Sequence, residues 1–307
     1  MKDLPATERR NPASARLDEM PVEAVLRLMN EEDRRVPEAV AEALPQIGAA
    51  VRLLVEAWRS GGRWIYVGSG TSGRLAALDA AECPPTFGAP PERVLAVLAG
   101  GPSAAARSVE AAEDDRTAAI RALDGLALHP DDVVIGLAAS GRTPFAVSAV
   151  EHAAEVGCAT VGISNNAGSE LGAAASVAIE LNTGPEILTG STRLKAGTSQ
   201  KMVLNMLSTA AFTRLGKVYE NLMVDVQASN EKLEGRARRI VREATGLPEG
   251  AADEVLGRAG GSVKVAVVMG KTGLSPGDAS RLLETAEGSV RRALAASGAG
   301  GRASREP

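Results

Sequence analysis

The stretch WIYVGSGTSGRLAALDAAECPP, residues 64–85, decides the fold class. It begins with a short apolar run, passes through the turn GSGTSG at residues 68–73, and continues as an Ala- and Leu-rich helical pattern. An apolar strand that turns through glycines into a helix is the first half of a βα unit. The turn also matches the GxGxxG pattern of dinucleotide-binding proteins, so a dinucleotide is one candidate ligand.

Five short apolar runs alternate with Ala-rich stretches of helical length. A parallel sheet that is covered on both faces has strands of this kind. We therefore predict an α/β fold with a five-stranded parallel sheet sandwiched by helices. The predicted strands are Arg63–Val67, Arg93–Ala99, Asp132–Ala138, Ala159–Ser164 and Val177–Leu181.

Changes in composition divide the chain into four predicted parts. Residues 1–55 form a helical segment that covers the sheet or makes an oligomer face, and residues 56–230 form the α/β domain. Residues 231–296 form a small helical domain, in which Gly and Pro divide the sequence from Thr245 to Leu294 into three short helices. The Gly-rich tail, residues 297–307, has too few large apolar groups to pack and is predicted to be disordered.

Composition excludes several classes of partner. The 307 residues include 34 basic and 38 acidic side chains and seven aromatic ones, which does not fit a nucleic-acid-binding surface. The N-terminus has no apolar signal core and the chain has no apolar window of membrane-spanning length, so we expect no membrane partner and a cytoplasmic location. Two cysteines and two histidines argue against a metal site.

The dinucleotide interpretation fails on the next strand. A ribose-binding acid should follow about 20 residues after the glycines, but the strand RVLAVLAGG ends in Ala99 and two glycines. The turn also lacks the lysine of a phosphate-binding P-loop. Its hydroxyls, Ser69, Thr71 and Ser72, together with helix-start amides, suit a phosphate monoester. The alternative is that Thr71 or Ser72 caps the helix.

A second loop repeats the pattern of the first. The sequence IGLAASGRTP, residues 135–144, again runs from an apolar strand into Ser140, Arg142 and Thr143 and then into a helix. Loops at the carboxyl ends of parallel strands emerge at the same edge of the sheet, where open α/β proteins bind ligands. The two loops together therefore favour a phosphate ligand.

Glu82 is one candidate catalytic carboxylate. It stands just before Cys83 and two prolines, and a residue before proline disfavours helical conformation, so the helix should stop at Cys83. A carboxylate at a helix C-terminus faces the negative end of the dipole, which favours the protonated acid. The alternative is an ordinary solvated glutamate near a helix end.

A second acidic cluster follows in SAAARSVEAAEDDRTAAIRAL. We predict a helix that Ser103 caps and that runs to about Leu123, with Glu110, Glu113 and Asp114 on one face. Like charges crowd there, which favours a raised pKa in one of the three carboxyl groups. Arg107 and Arg116 offer the alternative of a salt-bridged, solvated face.

The polar loop at residues 182–200 contributes further candidates. Glu186, Arg193 and Lys195 either complete a sugar-phosphate pocket or solvate a long connection.

Several strings together resemble one enzyme family. TERRNPASARLD, GSGTSGRLAALDAAECPPTFG, AAEDDR, AASGRTP and LKAGTSQKMVLNMLST closely resemble N-acetylmuramic acid 6-phosphate etherases, members of the sugar isomerase (SIS) domain superfamily. The resemblance implies that residues 56–230 are a SIS domain, that the C-terminal helices are similar to a ubiquitin-associated fold, and that the protein is a homodimer. It implies no cofactor and no metal.

The resemblance also implies a reaction and its residues. Water and N-acetylmuramate 6-phosphate give N-acetylglucosamine 6-phosphate and D-lactate, with the family's two catalytic carboxylates at Glu82 and Glu113. Glu113 is the expected base at carbon 2 and Glu82 the expected acid for the departing lactate. The phosphate is expected in the loops at residues 69–72 and 140–143. The alternatives are a sugar-phosphate isomerase and a non-catalytic sugar-phosphate sensor similar to the glucokinase regulatory protein.

Overall fold

The computed structural model describes residues 4–107, 109, 111–227 and 231–298. Five strands form one parallel sheet in the order β2-β1-β3-β4-β5, which confirms the predicted fold class. The strands are β1 Trp64–Gly68, β2 Val94–Leu98, β3 Val133–Ala138, β4 Ala159–Ser164 and β5 Val177–Glu180. Each lies within one residue of its predicted bounds at both ends.

Helices lie on both faces of the sheet. They are α1 Val22–Asp33, α2 Arg35–Glu42, α3 Leu44–Arg59, α4 Gly70–Phe87, α5 Arg116–Asp124, α6 Pro144–Val156, α7 Glu170–Ala174 and α8 Lys195–Arg214. Successive side chains of a strand point to opposite faces. Ile65 and Val67 pack with Phe145 of α6, whereas the Trp64 indole donates to the Leu54 carbonyl of α3 on the other face.

The structure corrects the predicted end of α4. This helix passes through Pro84 and Pro85 and ends at Phe87 instead of stopping at Cys83. An interior proline removes a backbone hydrogen bond and costs about 3 kcal/mol. Packing of the last turn opposes that cost, because Cys83 is buried and Phe87 stacks on Phe212 with ring centroids 4.6 Å apart.

The structure also corrects the predicted helix from Ser103 to Leu123. Two single 3₁₀ turns, Pro102–Ala105 and Ala112–Asp114, replace its first part, and α5 begins only at Arg116. Asp115 caps α5 by accepting from the Ala118 amide at 2.8 Å, a local bond that starts the helix there. Glu113 and Asp114 therefore do not lie on a helix face, and Glu110 lies outside the described residues.

The C-terminal part of the chain is helical. Its helices are α9 Glu231–Thr245, α10 Glu249–Arg258, α11 Val263–Thr272, α12 Pro276–Thr285 and α13 Val290–Ala296. Four helices rather than the predicted three lie between Thr245 and Leu294, because Gly273 and Gly288 adopt left-handed conformations and end α11 and the turn after α12. A core of small aliphatic side chains holds this part together.

Internal contacts divide the chain into two compact units. The first holds Met1–Ala81 and Pro91–Ser208, and the second holds Glu82–Pro90 and Thr209–Pro307. The domain boundaries drawn from the sequence, after residues 55, 230 and 296, stay predictions, as does the ubiquitin-associated-like character of the C-terminal helices. Residues 299–307 of the predicted disordered tail lie outside the described residues. No helix in the described ranges is long and apolar enough to span a membrane.

Candidate active site

Glycines set the geometry of the first loop. Cβ atoms added at Gly68 and Gly73 would lie 3.0 Å and 2.6 Å from backbone atoms of each other's residue, so only glycine lets α4 approach β1 this closely. Gly70 has φ +51°, in the left-handed region that glycine adopts without strain. The glycines therefore serve the strand-to-helix turn and leave the hydroxyl side chains to meet a ligand.

Ser69 is the hydroxyl that meets a catalytic candidate. Its Oγ donates to Glu113 Oε2 at 3.3 Å, although the two residues are 44 positions apart. Both line a cavity of about 230 Å³ beside the loop. The other lining residues are Gly70, Arg74, Ala99, Ala104, Val109 and Ala111. Among the described lining residues, the ionisable groups are Glu113 and Arg74.

Thr71 and Ser72 are not among the residues that line this cavity. Ser72 is 7% exposed, and Thr71 is half-buried against α8, where its methyl group would lie 3.4 Å from a Cβ added at Gly197. Ser69 is therefore the hydroxyl of the first loop best placed to contact a ligand in the small cavity. The predicted ligand contacts of Thr71 and Ser72 stay predictions.

The second loop lies beside the first. Strands β1 and β3 are hydrogen-bonded neighbours, with Gly68 opposite Leu137, so the loops that follow them share one edge of the sheet. This is also where the strand order reverses, since β2 lies on the other side of β1. Open α/β sheets bind ligands at such a switch point. The predicted adjacency of the two loops is thus observed.

Gly141 shapes the second loop. It has φ +68°, and a Cβ there would lie 2.3 Å from the Ser169 Cβ. The Arg142 amide donates to Ser140 Oγ at 3.2 Å. Thr143 precedes α6, and its hydroxyl caps no amide of that helix within the described residues. Helix capping, the alternative to ligand binding for a hydroxyl in such a loop, therefore does not apply to Thr143.

The second loop faces a larger cavity of its own. Ser140 and Arg142 line a space of about 450 Å³, whereas Ser69 and Glu113 line the smaller one. The other lining residues are Leu4, Pro5, Ala6, Arg9, Asn166, Ala167, Gly168, Ser169, Glu170 and Asn182. A volume of this size is within the range of small-molecule sites.

Glu186 and Lys195 have internal partners. The Glu186 carboxylate is 1% exposed and accepts from the Lys195 and Ala196 amides at 3.1 and 2.9 Å, so it caps the N-terminus of α8. Burial raises the pKa of Glu186, while these amide bonds act to lower it. The assignment of Glu186 and Lys195 as substrate contacts stays a prediction.

The Lys195 side chain makes a buried ion pair. Its ammonium group, also 1% exposed, pairs with Glu32, which accepts from Asn11 Nδ2 at 2.9 Å as well. Burial alone would raise the pKa of Glu32, but the hydrogen bond and charge of Lys195, with Asn11 and Arg35, together lower it. This pair could not be predicted from the sequence, because Glu32 and Lys195 are 163 residues apart.

Glu82 is exposed on α4, twelve residues after Gly70. The helix continues for five residues beyond it, and dipole effects fall off within the last turn. The dipole argument for Glu82 as a protonated acid is therefore wrong. Its catalytic role rests on the family motif AECPP alone and stays a prediction.

Asp79, one turn before Glu82, was not among the predicted site residues. Tyr66 Oη donates to Asp79 Oδ2 at 3.0 Å and Ser208 Oγ donates to Oδ1 at 3.1 Å, so the carboxyl links β1, α4 and α8. Burial raises the pKa of Asp79, while the two hydroxyl bonds and Lys201 act to lower it. No group of three or more His, Cys, Asp or Glu side chains suited to a metal ion occurs among the described residues.

The chain is similar to proteins of known family. The family model for the glucokinase regulatory protein N-terminal SIS domain matches residues 46–154, and the SIS domain model matches residues 117–210. The N-acetylmuramic acid 6-phosphate etherase of Mycolicibacterium smegmatis is 55% identical over 263 residues, which cover 86% of this chain and 88% of the relative. The chain belongs to the N-acetylmuramic acid 6-phosphate etherase family.

A second etherase and one solved structure are similar over different shares of the chain. The etherase of Geobacillus thermodenitrificans is 55% identical over 86% of this chain and 90% of its own length. The phosphoheptose isomerase from Neisseria gonorrhoeae is 19% identical, with a TM-score of 0.49 over 62% of this chain and 98% of that one. The etherase relatives are thus matched over most of their length.

Proposed function

We propose that the protein cleaves the D-lactyl ether of N-acetylmuramic acid 6-phosphate with water, giving N-acetylglucosamine 6-phosphate and D-lactate. The observation that carries this proposal is 55% identity to named etherases over 86% of the chain. The structure supports it with a carboxylate, Glu113, in a cavity beside a hydroxyl loop at the carboxyl edge of the sheet.

The reaction divides into an elimination and a hydration. In the open-chain sugar, carbon 2 is next to an aldehyde, so a positioned carboxylate can remove its proton. Glu113 takes this proton, the carbon 3–oxygen bond breaks, and Glu82 protonates the departing lactate oxygen. Water then adds at carbon 3 while Glu82 accepts a proton from it, and Glu113 returns its proton to carbon 2. Both carboxylates end in their starting states.

Charge favours the second loop for the phosphate. A phosphate beside Ser69 would lie next to the Glu113 carboxylate, and two unit charges of like sign at 4 Å repel by about 4 kcal/mol at an effective dielectric constant of 20. The first cavity also has Arg74, so the charges of its described lining residues cancel, whereas the second has Arg9 and Arg142 against the single carboxylate Glu170. This difference supports a phosphate position with Ser140, Arg142 and Thr143, with Ser69 nearer the reacting carbons.

A non-catalytic sugar-phosphate sensor is the second candidate. The match of residues 46–154 to the glucokinase regulatory protein model favours it. A sensor would bind the muramate phosphate without releasing lactate, and an isomerase would interconvert aldose and ketose without releasing lactate. Lactate release separates the etherase from both.

The decisive experiment is incubation of the purified protein with the muramate phosphate in heavy-oxygen water. Mass analysis should find the label at carbon 3 of the amino-sugar product, because hydration places a solvent hydroxyl there. Label in lactate would refute elimination at this ether bond. In deuterated water, Glu113→Gln should abolish exchange at carbon 2, whereas Asp114→Asn, the matched control one residue on, should retain it.

Glu82 needs a separate experiment. Glu82→Gln should block lactate loss while it leaves phosphate binding unchanged, because the proposed phosphate loop lies elsewhere in the chain. Glu92→Gln, an exposed acid in the loop before β2, is the matched control. Full lactate release by Glu82→Gln would remove Glu82 from the mechanism.

A homodimer in the cytoplasm completes the proposal. Helix α1 has no buried residue, and Val22 and Leu26 are 68% and 60% exposed. A second copy of the chain is the partner that the family resemblance predicts for such an apolar face. Light scattering on the purified protein should give a dimer mass, and Leu26→Glu should shift it toward a monomer. A monomeric mass for the unsubstituted protein would refute the dimer.

A further inference from the structure

The N-terminal segment reaches the second loop. It consists of three 3₁₀ turns, Ala6–Glu8, Pro12–Ser14 and Leu17–Glu19. Thr7 is completely buried there, and it exchanges two hydrogen bonds with Asn166: its amide donates to Oδ1 at 3.3 Å, and its Oγ1 accepts from Nδ2 at 3.0 Å. These bonds fix the position of the chain two residues before Arg9.

Asn166 also fixes the second loop. Its Nδ2 donates to the Ala139 and Ser140 carbonyls at 3.0 and 3.2 Å, and the residue is 7% exposed. One buried amide therefore connects the segment that carries Arg9 with the loop that carries Arg142. Both arginines line the cavity of about 450 Å³ between these two walls.

The charges of this cavity come from side chains. Among the described residues, its ionisable lining groups are Arg9, Arg142 and Glu170, a net charge of +1. The Gly168 and Ser169 amides, just before α7, donate to the Glu180 carboxylate at 2.9 Å each, so they are already engaged. Guanidinium groups form strong charge-assisted hydrogen bonds with phosphate, so Arg9 and Arg142 suit an anion in this cavity.

We propose that Arg9 is a phosphate-binding residue, which the N-terminal segment contributes to the anion site formed by Arg142 and the second hydroxyl loop. This inference rests on the proposed function, since the phosphate is that of the sugar phosphate. The Arg9 Nε donates to the Leu4 carbonyl at 2.8 Å, which helps to orient the guanidinium, and Arg9 lines the cavity. The N-terminal segment thus takes part in substrate binding as well as covering the sheet.

Arg9→Gln tests the proposal, with Arg10→Gln as the matched control. Arg10 is also exposed and adjacent, but it does not line the cavity. Inorganic phosphate is the probe, titrated into the full chain and followed by phosphorus NMR or calorimetry. Arg9→Gln should weaken phosphate binding about tenfold or more, because it removes a charge-assisted bond, and Arg10→Gln should not. D-Lactate, titrated in parallel, should bind equally to both variants.

The kinetics provide a second readout. Arg9→Gln should raise KM for the muramate phosphate with little change in kcat, since Arg9 acts on the phosphate in ground and transition states alike, and Arg9→Lys should restore part of the affinity. Equal phosphate affinity in the two Gln variants overturns the proposal, as does a loss of D-lactate affinity instead. If the unsubstituted protein releases no lactate but Arg9→Gln still loses phosphate, the proposed function fails and the anion site stands.

Discussion

Gly73→Ala should destabilise the protein, although alanine normally stabilises a helix. Gly73 lies in the first turns of α4, and a Cβ there would lie 2.6 Å from the Gly68 carbonyl oxygen. An ordinary contact begins at 3.4 Å, so α4 or β1 must move by about 0.8 Å. Such overpacking costs about 1–3 kcal/mol, and the usual gain from Gly to Ala in a helix returns about 0.5–1 kcal/mol. The net loss is about 0–2.5 kcal/mol, with a midpoint near 1 kcal/mol.

Gly48→Ala is the matched control for this substitution. Gly48 is inside α3, and its added Cβ would meet only the end of Arg52 at 3.7 Å. We expect a gain of about 0.5–1 kcal/mol, since the helix propensity is then unopposed. Urea unfolding followed by circular dichroism measures both changes.

The same displacement should affect catalysis. A shift of about 0.8 Å at the start of α4 moves Ser69 relative to Glu113, and misplacements near 1 Å can cost about 100-fold in rate. Lactate release by Gly73→Ala should therefore fall about 10–100-fold in kcat/KM, while Gly48→Ala stays at the unsubstituted rate. A Gly73→Ala protein as stable as Gly48→Ala would refute the close approach of α4 to β1 as the reason for these glycines.

Three other predictions concern carboxylates at buried or partly buried positions. Glu186→Ala should cost about 1–3 kcal/mol in urea unfolding, because two amides of α8 lose their acceptor. Glu32→Gln should cost about 3–5 kcal/mol, because it leaves the buried Lys195 ammonium unpaired, and adding Lys195→Met should recover part of that loss in a double-mutant cycle. Because the folded-state pKa of Asp79 is raised, its contribution to stability is complete below the unfolded pKa near 4 and is lost as pH rises through the folded pKa. Asp79→Asn should remove that loss in thermal melts recorded across this pH range, and an unchanged pH dependence would contradict the raised pKa.

The strands could be predicted closely from the sequence for a physical reason. A parallel strand buried on both faces must be a continuous apolar run, and its ends are marked where Gly, Asp or Arg interrupts the run. All five residues of β1 are buried, which explains why WIYVG stood out. The neighbouring positions of the two hydroxyl loops followed from the parallel topology.

Helix ends were harder to predict because tertiary packing overrides local preference. Pro84 favours a stop at Cys83, but the packing of Cys83 and Phe87 keeps α4 helical to Phe87. The segment before α5 has good helix formers, yet Asp115 caps a later start and Ala111 adopts φ +60°. Neither outcome has a signal within a short sequence window.

The contacts that complete the second cavity could not be predicted from the sequence either. Thr7 and Asn166 are 159 residues apart, and nothing in TERRNP specifies the strand it will meet. Asn165 and Asn166 did carry a usable signal, since two amides directly after a buried strand lie at the ligand-binding edge of the sheet. A search for polar pairs at strand ends would have found Asn166, and through it the wall that holds Arg9.

The GxGxxG pattern of the first loop describes a turn and not a ligand. Gly68 and Gly73 are needed because α4 approaches β1 closely, and Gly70 is needed because the chain adopts a left-handed conformation there. Each requirement holds whether the ligand is a dinucleotide or a sugar phosphate. The ligand class is decided by what surrounds the turn: β2 ends without a ribose-binding acid, and Ser69 donates to a carboxylate, Glu113, which would repel a pyrophosphate at this loop. The same glycines therefore fit either ligand class, and the residues that follow the neighbouring strand, Glu113 among them, favour a sugar phosphate over a dinucleotide.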